Sequence, residues 1–163
     1  MKSVDDLHLP PDAAFWKTIK HFAATEWGRD PARVSRELVR RLDAVREAAG
    51  VPLHVHVAFD HGGHSSASRH YATKGRPLAD AGDFHFGAGP DGYLSPMEEF
   101  ALLARFGFGG IGWYPKWSPR PGWHVDLRPD MPAVVWVQRQ GTTYRYGHRS
   151  LAEALAGASV RAA

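Results

Sequence analysis

HSSASRHYATKGRPLADAGDFHF, residues 64–86, and WHVDLR, residues 123–128, are the two stretches from which the rest of the chain is best read. The first holds Ser68-Arg69-His70, then a glycine, and closes on Ala81-Gly82-Asp83-Phe84. The second reads as a strand that sets His124 and Asp126 two residues apart, on one face. One histidine, one aspartate and one distant histidine form a donor set suited to a zinc ion. Three protein ligands of this kind leave a fourth position for water.

Upstream, residues 51–59 alternate, with Leu53, Val55, Val57 and Phe59 on one side and His54, His56 and Ala58 on the other, a strand pattern. The spacing of His54 and His56 would also allow metal ligation, and they are read as sheet-surface histidines because better-placed donors follow. Residues 60–82 form a long loop, a length uncommon unless it carries function, and 83–86 a short strand. Asp30-Pro31 reads as a helix start. Val34, Leu38, Leu42 and Val45 then share a face, and Gly50 stops the helix. Residues 13–27 read as a short packed helix or turn built on Phe15, Trp16, Ile19, Phe22 and Trp27.

Downstream, Ser95-Pro96-Met97-Glu98 is a capping box that opens an amphipathic helix ending before Gly107. Residues 110–114, 123–127, 133–138 and 142–146 read as strands, expected antiparallel, with a hairpin turn at Gln140-Gly141. Helices and short strands without βαβ alternation predict an α+β fold, a small antiparallel sheet with flanking helices.

The 163 residues predict a single domain, 1–163, with its core over about 13–148, an N-terminal arm at 1–12 and an Ala-rich helical tail at 150–163. The chain has no cysteine, which excludes disulfides and thiolate-bound zinc and leaves histidine and carboxylate as metal ligands. A net charge of +3 and a pI near 9.4 are mildly basic. No dense basic patch interleaved with aromatics accompanies them, so nucleic acid is not expected as a partner. No run reaches transmembrane length, so membrane insertion is not expected either. The first residues lack an apolar h-region, which predicts no signal peptide and cytoplasmic synthesis. A monomer is expected.

Ser68-Arg69-His70, Ala81-Gly82-Asp83, Gly110-Ile111-Gly112-Trp113-Tyr114-Pro115 and His124-Val125-Asp126-Leu127-Arg128 follow one another in a familiar order. In this the chain resembles the zinc D-alanyl-D-alanine carboxypeptidase family, which includes phage endolysin peptidases and shares a fold with the hedgehog signalling domain. The resemblance covers roughly residues 20–146. It implies a hedgehog/DD-peptidase-like fold and Zn2+ held by His70, Asp83 and His124. It implies a metal-activated water that hydrolyses a peptide bond in peptidoglycan stem peptides or cross-links, as a D,D-carboxypeptidase or a phage or prophage endolysin-type endopeptidase. Such a protein would act at the bacterial cell wall once delivered there.

Three positions depart from the family pattern. The interval from His70 to Asp83 is longer than usual, which leaves Asp80 as a rival ligand. Pro121 stands where the family often has its catalytic acid. Ala58-Phe59-Asp60-His61 stands where an arginine often binds substrate, leaving His61 for that role. Strand geometry offers Asp126 as a substitute general base, within reach of a metal held by His124. Its other readings are a carboxylate that orients a ligand histidine or a partner of Arg128. Arg128, His61, Tyr114 and Trp113 are expected at the substrate, with Trp117 beside them. His64 and His85 are read with His61 as polar loop residues or supports of a ligand. The alternative to an enzyme is a non-catalytic zinc-containing binding module of the same fold.

Overall fold

The structure, a computed structural model, describes residues 9–60, 62, 65, 67–130, 132–141 and 143–161. It is a mixed α+β fold with one six-stranded sheet and four helices. The helices are α1 (Ala13–Trp16), α2 (Arg36–Ala49), α3 (Pro96–Ala104) and α4 (His148–Arg161). The strands are β1 (Leu53–Val57), β2 (Ala81–Phe86), β3 (Gly110–Tyr114), β4 (Gly122–Asp126), β5 (Val134–Gln140) and β6 (Thr143–Tyr146). Their order across the sheet is β1-β2-β4-β3-β5-β6.

The sheet is not wholly antiparallel, as the sequence reading expected: β3 and β5 are parallel. The cause lies at one end of the sheet. Asp126, where β4 ends, and Val134, where β5 begins, both pair with Gly110, where β3 begins. The linker from β4 therefore steps past the start of β3 and lays β5 alongside it in the same direction. Gly109 makes room for that step, because a Cβ there would fall 1.8 Å from the Arg128 carbonyl oxygen.

Side-chain alternation divides the sheet into two faces. Leu53, Phe84, Phe86, Ile111, Trp113, Trp123, Val125, Val135 and Val137 point to one side. There they meet Leu38, Leu42 and Val45 of α2, Leu103 of α3, and Leu151 and Leu155 of α4. Each such fully buried side chain contributes about 1.5–3 kcal/mol. Gly82 lets α2 sit close to β2, with Leu42 Cδ1 only 3.3 Å from where a Cβ would stand. The other face carries the polar residues described below.

Helix α3 starts as read from the sequence: Ser95 Oγ accepts from Glu98 N–H, and Glu98 Oε2 accepts from Ser95 N–H at 2.7 Å. Helix α2 starts later than Asp30-Pro31 suggests. Those residues open a short 3-10 turn, Pro31–Arg33. Ser35 N–H then donates to Ala79 O at 2.8 Å and Ala79 N–H to Arg33 O at 2.9 Å. This pairing holds Val34 and Ser35 extended, so the helix begins only after Ser35. The C-terminal helix is also corrected. It belongs to the core, since Leu151 and Leu155 are fully buried.

Candidate metal centre

His70, Asp83 and His124 come together on the face of the sheet away from the helices. Asp83 and His124 are direct cross-strand partners on β2 and β4. His70 reaches them from the loop after β1. That loop is pinned at both sides: Asp60 N–H donates to His70 O, and Asp80 N–H donates to Arg69 O, both at 3.1 Å. All three residues are buried, at 0, 5 and 9% exposure for His70, Asp83 and His124.

The converging atoms are His70 Nε2, Asp83 Oδ1 and His124 Nδ1. The separations are 3.3 Å between the two nitrogens, 3.2 Å from His70 Nε2 to Asp83 Oδ1 and 2.8 Å from His124 Nδ1 to Asp83 Oδ1. Ligand atoms of a tetrahedral zinc site stand about 3.3–3.6 Å apart. Two of the three separations are close to that range, and the third is a hydrogen bond that a cation would replace. The far nitrogens are engaged as well. His70 Nδ1 donates to Ala58 O at 2.9 Å and His124 Nε2 to Asp126 Oδ2 at 3.1 Å. Ligand histidines are held in this way, the outer N–H given to a carbonyl or a carboxylate. The residues present therefore fit a divalent metal.

The electrostatics point the same way. Burial alone would lower the His124 pKa, but hydrogen bonds to Asp126 and Asp83 outweigh it and push it up to about 9. Burial would raise Asp83, yet its bonds with His124 and His70 hold it well below the usual carboxylate range. The centre therefore favours positive charge between these groups.

Asp126 is read from the sequence as a general base, a support for a ligand histidine or a partner of Arg128, and the structure places it against both of those partners. It sits on the outer nitrogen of His124 and is fully buried. Arg128 gives it three more N–H donors: the backbone at 3.0 Å, Nε at 2.8 Å and a terminal nitrogen at 2.6 Å. Burial would raise its pKa, but His124 and Arg128 hold it low. A carboxylate so engaged is placed to orient His124. Asp80, the rival ligand, is not in the trio. It pairs with Arg69 and stands 3.5 Å from Arg76.

A cleft of about 370 Å³ opens over the trio, and Tyr114, Trp117 and Arg128 line it. The Arg128 guanidinium is tied to Asp126 and lies 5.3 Å from the centre of the Trp136 ring. Trp113, expected in the cleft, is corrected. It is 3% exposed and belongs to the core, because Gly112 and Tyr114 take the cleft side of β3 and alternation turns Trp113 away. His61 and His64 lie outside the described residues. His85 is on β2, where it meets His54 and His56 rather than the trio.

Several site residues went unread in the sequence. Trp136, Gln138, Tyr144 and Tyr146 line the cleft from β5 and β6. Their signal was the alternation Val135-Trp136-Val137-Gln138 and Tyr144-Arg145-Tyr146, apolar or basic on one side and amphipathic on the other. The other missed signal is Gly110-Ile111-Gly112. A Cβ on Gly112 would lie 2.2 Å from the Trp136 indole, and one on Gly110 would lie 2.6 Å from the Asp126 carboxylate. These two glycines let neighbouring side chains lie across β3 beside His124. Comparison with protein-family models, curated proteins and solved structures finds no match to this chain.

Proposed function

We propose that the chain is a zinc-dependent hydrolase that cuts a peptide bond in peptidoglycan stem peptides or cross-links, a D,D-carboxypeptidase or endolysin-type endopeptidase with the hedgehog-like fold. The observation that carries this reading is the buried His70, Asp83 and His124 trio, with both outer histidine nitrogens satisfied. The ordered motifs of the carboxypeptidase resemblance supply the substrate class. Bound there, a zinc ion would lower the pKa of a coordinated water to roughly 7 and polarise a carbonyl. Asp126 keeps the His124 ring oriented, and Arg128 holds Asp126. Tyr114 and Trp117, stacked at 4.1 Å, wall the cleft and exclude water from one side.

One observation favours a second reading, a zinc-containing binding module without catalysis. Among the described residues, Asp83 and Asp126 are the only carboxylates lining the cleft, and both are engaged with the trio. One experiment separates the two readings: zinc content of the purified protein, with release of D-alanine or new amino groups from purified peptidoglycan, with and without chelator. The hydrolase reading expects one zinc per chain and chelator-sensitive release. One zinc without release leaves the binding module, and a protein that takes up no zinc ends both.

A further inference from the structure

Five aromatic side chains, Tyr114, Trp117, Trp136, Tyr144 and Tyr146, form one wall of the cleft. They make a continuous surface. Tyr114 stacks on Trp117 and meets Tyr144 edge-on at 6.2 Å, while Trp136 lies between His124, 5.3 Å away, and Tyr146, 6.3 Å away. The wall thus leads outward from the trio to Tyr146, which is 65% exposed. The chain has eight phenylalanines, and all of them belong to the core or pack against it. Every aromatic of the wall carries an O–H or N–H, and no phenylalanine lines it. The wall offers flat apolar faces with polar edges, and a pyranose ring has the matching build, a C–H face with a hydroxyl rim.

The charges narrow the ligand further. Among the described residues, the arginines lining the cleft are Arg69 and Arg128. Each is held by a buried carboxylate, Asp80 and Asp126 respectively. Arg139 and Arg145, on the same two strands as the aromatics, line a separate cavity against α4. Among the described residues, no row of free cations lines the cleft, as a phosphodiester chain would need, and each arginine is offset by its own carboxylate. The surface suits a neutral ring.

We propose that this wall is a saccharide subsite that stacks a neutral pyranose of a glycan strand at its exposed end, on Tyr144 and Tyr146 outside the buried Trp136, so that a peptide attached to the sugar reaches the trio. This deepens the hydrolase reading by naming the substrate as a glycan-linked peptide, and it rests on that reading for the link between sugar and cleavage.

The test titrates chelator-treated full-length protein with chitotetraose and follows tryptophan fluorescence, using a dT oligonucleotide as a rival ligand. Saturable sugar binding is expected, weakened about tenfold in Tyr146→Ala and in Tyr144→Ala and retained in Tyr146→Trp. Both alanine sites are exposed, and circular dichroism checks that the variants fold. Absence of saturable binding at millimolar sugar, alanine variants that bind as wild type does, or tighter binding of the oligonucleotide would overturn the subsite. In a second arm, zinc-loaded wild type should cut intact peptidoglycan faster than free stem peptide, and Tyr146→Ala should lose that preference. Because the binding arm uses neither metal nor turnover, the two failures are distinct. Sugar binding without hydrolysis retires the hydrolase and keeps the subsite, whereas hydrolysis without sugar binding does the reverse.

Discussion

Two groups of histidines share one face of the sheet and differ in nearly every physical respect. In the first, His70 and His124 close on Asp83, all buried, with outer nitrogens given to Ala58 O and Asp126. In the second, His54 and His56 flank His85 in a stack with ring centres 4.9 and 4.7 Å from it, and no carboxylate takes part. His56 Nε2 and His85 Nδ1 are only 2.6 Å apart, so one of them carries the proton the other accepts. Burial, then His56, His54 and Arg120, push His85 down to about 4, while the carboxylates push His124 up to about 9. Burial acts in the same direction on both histidines. What sets His124 apart from His85 is therefore the pair of aspartates. The histidines alone do not decide it.

The largest expected effect removes the aspartate that defines the first group. Asp83→Ala should weaken zinc binding by more than the roughly 100-fold seen at most for orienting groups. His85→Ala and Asp80→Ala should keep one zinc per chain. Isothermal titration with zinc on all three variants reads this directly. A normal Asp83→Ala isotherm, or loss of zinc in either of the others, would move the metal centre elsewhere.

Next comes the aspartate behind His124. Asp126→Asn keeps the shape of the side chain but removes the charge that His124 Nε2–H and Arg128 share. Zinc affinity should fall about 10–100-fold, with any hydrolysis per bound zinc largely unchanged. A variant that bound zinc normally but lost about 10²–10⁴-fold in turnover would support the general-base role.

A third test breaks the backbone that allows the first group to form. Gly112→Ala would drive a methyl into the Trp136 indole, and neither ring nor strand can yield freely beside His124. The expected loss is about 1–3 kcal/mol in urea unfolding. A neutral result would mean that Trp136 swings clear at little cost and does not pack rigidly across β3.

The comparison also marks how far the sequence could be read. Alternation within a strand is local, so the six strand segments and the shared face of His124 and Asp126 were legible. So was the Ser95 capping box, whose bonds span three residues. Which strands become neighbours depends on where a linker crosses, and the parallel β3–β5 pair follows from the step past Gly110. The start of α2 depended on Ala79, more than forty positions from Ser35. Trp113 and Tyr114 adjoin in sequence but lie on opposite faces, and only the pairing of β3 says which face is the cleft. The trio was readable because metal ligation demands particular atoms. The role of Asp126 was not, since spacing along a strand cannot tell which ring nitrogen of His124 a carboxylate meets.

The smallest effect separates the two groups by proton affinity. In metal-free protein, the imidazole NMR signals of His124 should titrate near 9 and those of His85 near 4, on either side of the ordinary value of about 6.5. The stability consequences have opposite signs. For His124 the folded pKa is raised, so its contribution is full below about 6.5 and is lost as pH rises through about 9. For His85 it is lowered, so the unfolded chain binds more protons between about 4 and 6.5, and stability is lost as pH falls through that window. Burial pushes Glu99 up to about 7, against its hydrogen bond from Trp123, and this works against the His85 contribution over much of the same range. The His85 share is therefore read as the difference between wild type and His85→Gln, both of which retain Glu99. Zinc should remove the alkaline loss, because the ion takes the place of the His124 Nδ1 proton, and should leave the acid-side difference between wild type and His85→Gln in place down to the pH at which the metal itself is released. If both histidines titrate together near 6.5, the aspartates do not set the two groups apart, and the metal centre loses its electrostatic argument.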